Sequence, residues 1–254
     1  MILAVDAGNS NIVLGCMEGL EIRHTLRLKT DRAMSAAGYT VTLQAALAQA
    51  GFSVAGFEGG ILSSVVAAVT EPLRQALSAL LSGPVLVVGK TAKTTLPLCI
   101  DQPETIGADL IAAAEGALAQ YAPPLVLIDM GTATTFSVLD KSGAFLGGAI
   151  APGVQLGAEA LTQRTGLPMT ELSAPQSPLS HSTTDCLCSG IIYGAAAMVD
   201  GMLDRLETAL GTPVTAIATG GLARCVIPHC RRPVTLDDQL LLRGLAVMYR
   251  HEMT

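Results

Sequence analysis

Two stretches of this sequence share one pattern, Val5-Asp6-Ala7-Gly8-Asn9-Ser10 and Ile128-Asp129-Met130-Gly131-Thr132-Ala133. In each, an apolar run ends in an aspartate, a glycine stands two residues later, and small polar residues follow. The aspartates are separated by 129 − 6 = 123 residues, close to half of the 254-residue chain. Self-similarity at a fixed spacing indicates an internally duplicated fold. We therefore expect two similar α/β halves, residues 1–122 and 123–254, divided at the proline pair Pro123-Pro124.

Hydrophobic periodicity predicts the same order of strands after each copy of the pattern. The predicted strands are Ile2–Val5, Ile12–Cys16 and Leu20–Leu28 in the first half, then Leu125–Ile128, Thr135–Leu139 and Ala144–Ile150 in the second. Further strands are predicted at Gly60–Val66, Val85–Val88 and Val214–Ala218. Helices are predicted at Tyr39–Gln49, Glu71–Leu81, from near Asp109 to Tyr121, Gly157–Thr165, Asp185–Leu210 and Asp237–Tyr249, with a Pro- and Ser-rich loop from Gly166 to about Thr183.

The composition excludes several classes of protein. Half of the residues are apolar and 14% are charged, which is too apolar for a disordered chain. A net charge of −6, only 3% aromatic residues and the lack of a basic block argue against nucleic-acid binding. Apolar runs stay below the roughly 18 residues of a membrane span, and the start Met1–Asp6 lacks the basic region of a signal peptide. We expect a cytoplasmic protein that binds neither membrane nor nucleic acid.

The six cysteines form no C-x-x-C pair and indicate reduced, buried thiols rather than disulfides. A zinc site at Cys225, His229 and Cys230 is the alternative, but the spacing of these ligands is poor.

The two D-x-G loops are candidates for binding phosphate. A glycine turn after a strand directs backbone N–H groups into one concavity, and the neighbouring carboxylate can hold hydrated Mg²⁺. The alternative for either copy is an ordinary tight turn, in which glycine and short polar residues serve only the backbone. Because the pattern occurs twice, each time after a predicted buried strand, we favour phosphate loops that grip one polyphosphate from both sides.

Two other motifs are candidates for the same chemistry. Thr219-Gly220-Gly221 follows a short strand and would let the backbone approach adenine or ribose, although glycine pairs also simply end strands. Asp109 falls in the first turn of an Ala-rich helix. There it is either a stabilising cap, or a catalytic base whose pKa the helix dipole would lower.

Taken in order, the motifs of this chain resemble the acetate kinase/sugar kinase/Hsp70/actin superfamily and, within it, the type III pantothenate kinases. The resemblance runs nearly end to end. Its motifs are Asp6-x-Gly8-Asn9-Ser10, Arg27-Leu28-Lys29-Thr30, Ile61-Leu62-Ser63-Ser64-Val65-Val66, Gly107-Ala108-Asp109, Asp129-x-Gly131-Thr132-Ala133-Thr134, Gly147-Gly148-x-Ile150-x-Pro152-Gly153, Ser189-Gly190, Thr219-Gly220-Gly221 and Leu242-Arg243-Gly244-Leu245. The implied fold is α/β, with duplicated ribonuclease-H-like (actin-like ATPase) domains and an interdomain nucleotide cleft.

The resemblance implies ATP-dependent phosphorylation of pantothenate to 4′-phosphopantothenate, the first step towards coenzyme A, by a cytoplasmic homodimer. Asp109 would be the proton acceptor, Asp6 would lie near Mg²⁺, and Asp129 would bind a monovalent cation, K⁺ or NH₄⁺. The implied ATP-binding residues are Asp6, Ala7, Gly8, Asn9, Ser10, Asn11, Ile12, Val13, Thr132, Gly220 and Gly221. The implied pantothenate-binding residues are Ile100, Gly107, Ala108, Asp109, Leu110 and Thr184.

The sequence departs from the family pattern mainly in the acceptor half. Leu110 replaces the arginine of the family's G-A-D-R motif, and Ile100 stands where an aromatic residue is usual before the D-x-P segment. Ser10 replaces a threonine but keeps the hydroxyl, and Ala67 and Lys90 replace common prolines. Because arginine offers carboxylates a planar fork that leucine lacks, two alternatives stay open. One is a non-catalytic or regulatory nucleotide-binding relative, and the other is a kinase for a different small alcohol.

Overall fold

The computed structural model describes residues 1–168 and 171–254, which form ten strands and seven α-helices, with short 3₁₀ turns among them. In chain order the elements are β1 (Ile2–Ala7), β2 (Asn11–Glu18), β3 (Glu21–Lys29), α1 (Ala36–Gln49), β4 (Gly59–Ser64), α2 (Ala67–Leu80), β5 (Val85–Val87), α3 (Ala108–Leu118), β6 (Leu125–Met130), β7 (Ala133–Leu139), β8 (Phe145–Pro152), α4 (Val154–Thr165), α5 (Thr183–Leu210), β9 (Thr215–Thr219), α6 (Ala223–Val226), β10 (Thr235–Leu236) and α7 (Leu240–Glu252).

The predicted duplication is confirmed by the topology of the two sheets. One sheet has the strand order β3-β2-β1-β4-β5 and the other has β8-β7-β6-β9-β10, so the same arrangement occurs twice. In both, an antiparallel meander of three strands is extended on its first strand by parallel strands. Since β1 and β6 occupy equivalent positions, both aspartates of the repeated pattern lie near the carboxyl end of the first strand of their sheet.

The chain forms two compact units. The first comprises Met1–Leu96, Asp101–Gln120 and Gln239–Thr254, and the second comprises Pro97–Ile100 and Tyr121–Asp238. The first unit thus contains α7, which the sequence division assigned to the second half. The division into residues 1–122 and 123–254 remains a prediction about duplicated halves.

In the first unit, helices cover both faces of the sheet, and the side chains of β1 alternate between two apolar cores. Leu3, Val5 and Ala7 pack with α1 and α2, whereas Ile2 and Ala4 pack with α3 and α7. Helices α3 and α7 approach closely at Gly116 and Gly244. A Cβ added to Gly244 would collide with the carbonyl group of Ala112, and one added to Gly116 would lie 2.8 Å from the Gly244 nitrogen. The backbone contact between these glycines therefore fixes the position of α3.

In the second unit, α5 packs along the sheet on a core formed by Val126, Ile128 and Met130 of β6 together with residues of β7 and β9. By length and composition, α5 is a helix that could cross a membrane. The sequence predicts this helix at Asp185–Leu210, but the criterion of uninterrupted apolar runs does not mark it as a candidate span. One side of α5 packs in the core through Ile192, Ala196 and Val199, and 39% of its most apolar window is buried, so this single helix is weak evidence for a span.

Most predicted elements are confirmed, with differences at their ends. Helix α1 begins three residues earlier than predicted, behind an N-cap at Ser35, whose hydroxyl accepts a hydrogen bond from the Gly38 amide. Helix α2 begins four residues earlier, so Pro72 lies inside it rather than in its first turn. Of the loop predicted from Gly166 to about Thr183, the described part has no regular structure, and Met169 and Thr170 lie outside the described residues.

The expectation that the cysteines are buried is only partly correct. All six are free thiols; Cys16 and Cys188 are buried, Cys225 and Cys230 are half-buried, and Cys99 and Cys186 are exposed. Burial raises the pKa of the Cys16 thiol to about 11.

Candidate active site

The first D-x-G loop is a tight turn that joins β1 to β2. The Gly8 amide donates to the Asn11 carbonyl at 3.0 Å, which closes the turn. The end of β3 supports it from outside, since the Thr30 hydroxyl donates to the Gly8 carbonyl at 2.7 Å and the Thr30 amide donates to the Ser10 carbonyl at 3.1 Å. The loop is therefore held by its own backbone and by the neighbouring strand.

Burial divides the residues of this loop by what they can offer a ligand. Ala7 and Ile12 are fully buried in the apolar core, so only their backbone groups can serve a phosphate. Asn9 and Ser10 at the tip are exposed, and the Arg32 guanidinium donates to the Asn9 side-chain oxygen at 2.9 Å. Exposed polar groups and backbone N–H groups at a glycine turn are suited to binding phosphate oxygens.

The carboxylate of Asp6 lies on the face of the first sheet that α3 and α7 cover. Successive side chains of a strand point to opposite faces, so Asp6 shares the face of Ile2 and Ala4. The hydroxyl of Ser63 on β4 donates to Asp6 Oδ1 at 3.0 Å. Asp6, Ser63 and the helix that carries Asp109 therefore belong to one face of one unit.

Asp109 occupies the first turn of α3, where its Oδ1 accepts a hydrogen bond from the Leu110 amide at 2.8 Å. The expectation that the helix dipole lowers its pKa is wrong. Burial raises the pKa of the Asp109 carboxyl and outweighs the hydrogen bonds from the amides of Leu110 and of Asp109 itself, which act in the opposite direction. A carboxyl with a raised pKa is a stronger base than an ordinary aspartate, which favours a role in proton transfer.

The residues on either side of Asp109 leave little room for its carboxylate. A Cβ added to Gly107, the N-cap of α3, would collide with Asp109 Oδ1. Ala108, Asp109 and Leu110 are all half-buried. The carboxylate of Asp109 can therefore occupy its position only because residue 107 has no side chain.

The second D-x-G loop brings two predicted site residues, Asp129 and Gly220, together. The Gly131 amide donates to the Ala133 carbonyl at 3.0 Å, which makes a turn shorter than the first one. Gly220 follows β9 with a φ of +94°, and its Cα faces the carboxylate of Asp129, since an added Cβ would lie 2.5 Å from Asp129 Oδ1. Thr132 and Gly221 are exposed beside these groups in the chain. The structure thus joins the Asp129 loop to the Thr219-Gly220-Gly221 motif.

The donors that are present fit both cations implied by the family resemblance. Mg²⁺ prefers oxygen ligands and is commonly held by one or two carboxylates together with substrate phosphates, which Asp6 beside a glycine turn can satisfy. Near Asp129, the buried hydroxyl of Thr135 finds no hydrogen-bond partner among the described residues. Thr135 lies directly opposite Asp129 in the β6–β7 register, so the two side chains share a face. A carboxylate next to an unsatisfied hydroxyl oxygen suits a hard monovalent cation.

The two remaining predicted pantothenate contacts belong to the second unit. Ile100 is half-buried, ends a segment that pairs alongside β8 at Leu98, and would lie 3.5 Å from a Cβ at Gly147. Thr184 is exposed in the first turn of α5, behind the N-cap Ser182. The other predicted contacts, Gly107 to Leu110, belong to the first unit.

Sequence reasoning missed three residues of these sites. Thr30 and Ser63 fall in motifs that were quoted without a role, and Thr135 was identified only as the start of a strand. Each acts through the register of neighbouring strands, which local patterns do not reveal. For Ser63 and Thr135, the available signal was a serine or threonine in a strand expected to pair with the strand that carries an aspartate.

Comparison with known proteins finds relatives along nearly the whole chain. A sequence model of the type III pantothenate kinase family matches residues 2–205. A type III pantothenate kinase from Exiguobacterium sp. is 38% identical over 250 residues, 98% of each chain, and one from Moorella thermoacetica is 35% identical over the same coverage.

Solved structures with the same fold have low sequence identity. A ROK-family glucokinase from Streptomyces griseus, determined with glucose and AMPPNP, has a TM-score of 0.57 at 15% identity over 98% of each chain. Component A of (R)-2-hydroxyglutaryl-CoA dehydratase from Acidaminococcus fermentans has a TM-score of 0.59 at 13% identity over 100% of this chain and 99% of that one. These likenesses confirm the predicted fold class and nothing further. The sequence relatives carry the assignment: the chain belongs to the type III pantothenate kinase family.

Proposed function

We propose that this protein transfers the γ-phosphoryl group of ATP to the primary hydroxyl of pantothenate, giving 4′-phosphopantothenate and ADP. The observation that carries this proposal is the family match over residues 2–205, which includes every proposed site residue except Gly220 and Gly221. The relatives in two different organisms carry the same name, which favours pantothenate over another alcohol and over a non-catalytic role.

The proposed ATP-binding residues are those of the two D-x-G loops and the Gly220-Gly221 turn. Asp6 to Val13 would bind phosphate oxygens through backbone amides, the exposed side chains of Asn9 and Ser10, and the half-buried side chain of Asn11. Thr132 would contribute its exposed hydroxyl. Gly220, which has no side chain and a positive φ, would let the nucleotide approach the backbone.

Asp109 is the proposed proton acceptor. As the pantothenate hydroxyl oxygen forms its bond to the γ-phosphorus and the bond to the β-phosphate oxygen breaks, Asp109 takes the hydroxyl proton. The transition state of phosphoryl transfer is loose, so positioning of the carboxylate matters more than its strength. The crowding at Gly107 supplies this positioning, and the raised pKa of Asp109 favours uptake of the proton.

Two cations are proposed to accompany the reaction. Asp6 would hold Mg²⁺, and Asp129 with the hydroxyl of Thr135 would hold K⁺ or NH₄⁺. Such cations neutralise the charge of the phosphates and of the transition state. They would also reduce the repulsion between a polyanion and a protein with a net charge of −6.

The pantothenate contacts are proposed at Ile100, Gly107, Ala108, Asp109, Leu110 and Thr184. Leu110 cannot offer pantothenate the planar fork of an arginine, so another group would have to bind the carboxylate.

The protein is further proposed to act in the cytoplasm as a homodimer, with small molecules rather than nucleic acid or membrane as its partners. Its six free thiols are typical of a reducing compartment.

The test is turnover by the purified protein with ATP, Mg²⁺, K⁺ and pantothenate, followed by mass spectrometry of 4′-phosphopantothenate. Asp109→Asn should lower kcat by about 100-fold or more, because loss of a general base costs about 10²–10⁴-fold, and should leave nucleotide affinity within about twofold. Glu104→Gln is the matched control: it makes the same change at an exposed carboxyl outside the site. A wild-type protein without product at high enzyme concentration contradicts the proposal, and full activity of Asp109→Asn contradicts its role as base.

A further inference from the structure

We propose that Ser63 is a positioning residue that orients the carboxylate of Asp6 for Mg²⁺. This inference rests on the proposed function, in which Asp6 holds the cation that accompanies ATP. It assigns a role to the Ile61–Val66 motif, which neither the D-x-G loops nor the acceptor residues account for.

The register of the first sheet places the two side chains next to each other. Strands β1 and β4 are parallel, with Asp6 paired to Ser63. Ile61 and Ile2 pack in the core under α3 and α7, so alternation places Ser63 and Asp6 on that same face. The neighbouring Ser64 lies on the opposite face of the sheet, where its side-chain oxygen accepts a hydrogen bond at 2.8 Å from the hydroxyl of Thr70 in α2.

The hydrogen bond itself is favourable for orientation. The Ser63 hydroxyl donates to Asp6 Oδ1 at 3.0 Å, and Ser63 is 0% exposed, so water does not compete for this donor. Hydrogen bonds to charged acceptors are stronger than those to neutral ones, and exclusion of water strengthens them further. Because this buried donor binds one of the two carboxylate oxygens, rotation of the Asp6 carboxylate about χ2 is restricted.

The second unit offers an independent parallel. At the equivalent position of β9, directly paired with Asp129, the side chain is again a largely buried hydroxyl, that of Thr219. A hydroxyl beside the aspartate of both units is what a shared need for carboxylate orientation would produce. Removing a side chain that hydrogen-bonds to a metal ligand typically weakens metal affinity by about 10–100-fold.

The experiment measures cation affinity directly rather than through turnover. Mn²⁺, used as a spectroscopic substitute for Mg²⁺, is titrated by electron paramagnetic resonance into the full-length protein saturated with a non-hydrolysable ATP analogue. Ser63→Ala should weaken Mn²⁺ binding by about tenfold while nucleotide affinity in EDTA stays within about twofold. Ser63→Cys keeps the packing with a weak donor and should show the same loss.

Two further variants distinguish an effect on the orientation of the Asp6 carboxylate from a general effect on stability. Ser64→Ala removes the neighbouring hydroxyl and should lower the thermal midpoint without changing Mn²⁺ affinity. In the Asp6→Asn background, Ser63→Ala should have no further effect on Mn²⁺, because the group that it orients is gone. A wild-type Mn²⁺ affinity in Ser63→Ala, or an equal loss in both backgrounds, overturns the role of Ser63. A wild-type Mn²⁺ affinity in Asp6→Asn itself overturns the assignment of Asp6 in the proposed function instead.

Discussion

The two aspartate loops occupy equivalent positions in two sheets of identical strand order, yet their surroundings differ. In the first, Asp6 lies opposite the apolar Val13 of β2 and accepts a hydrogen bond from Ser63. Its one hydroxyl neighbour in these pairings is thus already used to orient it. The loop that follows is four residues wide and leaves Asn9 and Ser10 exposed.

In the second, Asp129 lies opposite Thr135 on one side and Thr219 on the other, so hydroxyls flank it in both neighbouring strands. One of them, that of Thr135, is buried without a hydrogen-bond partner among the described residues. Gly220 further closes over the carboxylate. The difference teaches that duplication preserved the backbone while the two carboxylates diverged. Under the proposed function, the first carboxylate would hold a divalent cation together with phosphates, and the second would hold a cation among protein oxygens.

The sharpest way to break this comparison is at Gly220, whose equivalent in the first unit, Ser64, carries a side chain. Gly220→Ala forces alanine to a φ of +94° and places its Cβ 2.7 Å from the Met130 backbone. We expect a loss of about 3 kcal/mol in the free energy of unfolding, from backbone strain and overpacking, together with loss of nucleotide binding. Denaturant unfolding and calorimetry with an ATP analogue measure the two effects.

Gly221→Ala is the control for the stability part of this prediction, because an added Cβ meets no described atom within 4 Å there. If Gly220→Ala were as stable as Gly221→Ala and bound nucleotide as tightly as the wild type, the backbone next to Asp129 would have room for a side chain, and the prediction would be wrong.

The next effect concerns the unsatisfied hydroxyl near Asp129. Thr135→Val keeps the side-chain shape and removes the oxygen, so we expect the K⁺ concentration for half-maximal activity to rise about tenfold. Stability should stay equal or increase by about 1 kcal/mol, because a buried unpaired hydroxyl is removed. The measurements are activity across a K⁺ titration and thermal unfolding.

Thr134→Val is its matched control. Thr134 is also buried with an unsatisfied hydroxyl, but it lies opposite Met130 and so on the other face of the sheet. It should show the same gain in stability with unchanged K⁺ dependence. Equal K⁺ dependence of the two variants would show that the hydroxyl of Thr135 has no part in cation binding.

The smallest expected effect is on the pH dependence of stability, and it concerns Asp109. Its folded-state pKa is raised above the unfolded value, so its contribution to stability is present below the unfolded pKa and is lost as pH rises through the folded pKa. Asp109→Asn should therefore be more stable than the wild type at neutral pH, and this advantage should disappear in acid. Thermal midpoints of both proteins from pH 3 to pH 8 test the sign. A variant that is less stable at neutral pH would identify Asp109 as a stabilising cap.

Much of the fold was predictable from local sequence, and the particular residues show why the rest was not. The repeated D-x-G pattern and apolar periodicity predicted the duplicated sheets, because burial of a strand leaves a direct mark on its sequence. The sequence predicts the start of α2 four residues too late, because proline is most common in the first turn of a helix. In the structure the helix already begins at Ala67, and the Thr70 hydroxyl in its first turn donates to Ser64 at the end of β4. The direction of the Asp109 pKa was wrong because the dipole is local and visible in sequence, while desolvation depends on tertiary packing. The contacts of Ser63 and Thr135 depend on strand register in the same way.

The contact of α3 with α7 at Gly116 and Gly244 also has a consequence for the order in which the chain folds on the ribosome. Domains generally fold in the order of synthesis, with the N-terminal one first. Here the unit that contains the first residue needs Gln239–Thr254, which are made after the whole second unit. The first sheet can form early, but the helix that carries Asp109 gains its packing partner only after the second unit has been synthesised. The unit that begins first is therefore completed after the second one, and the proposed base reaches its final environment only then.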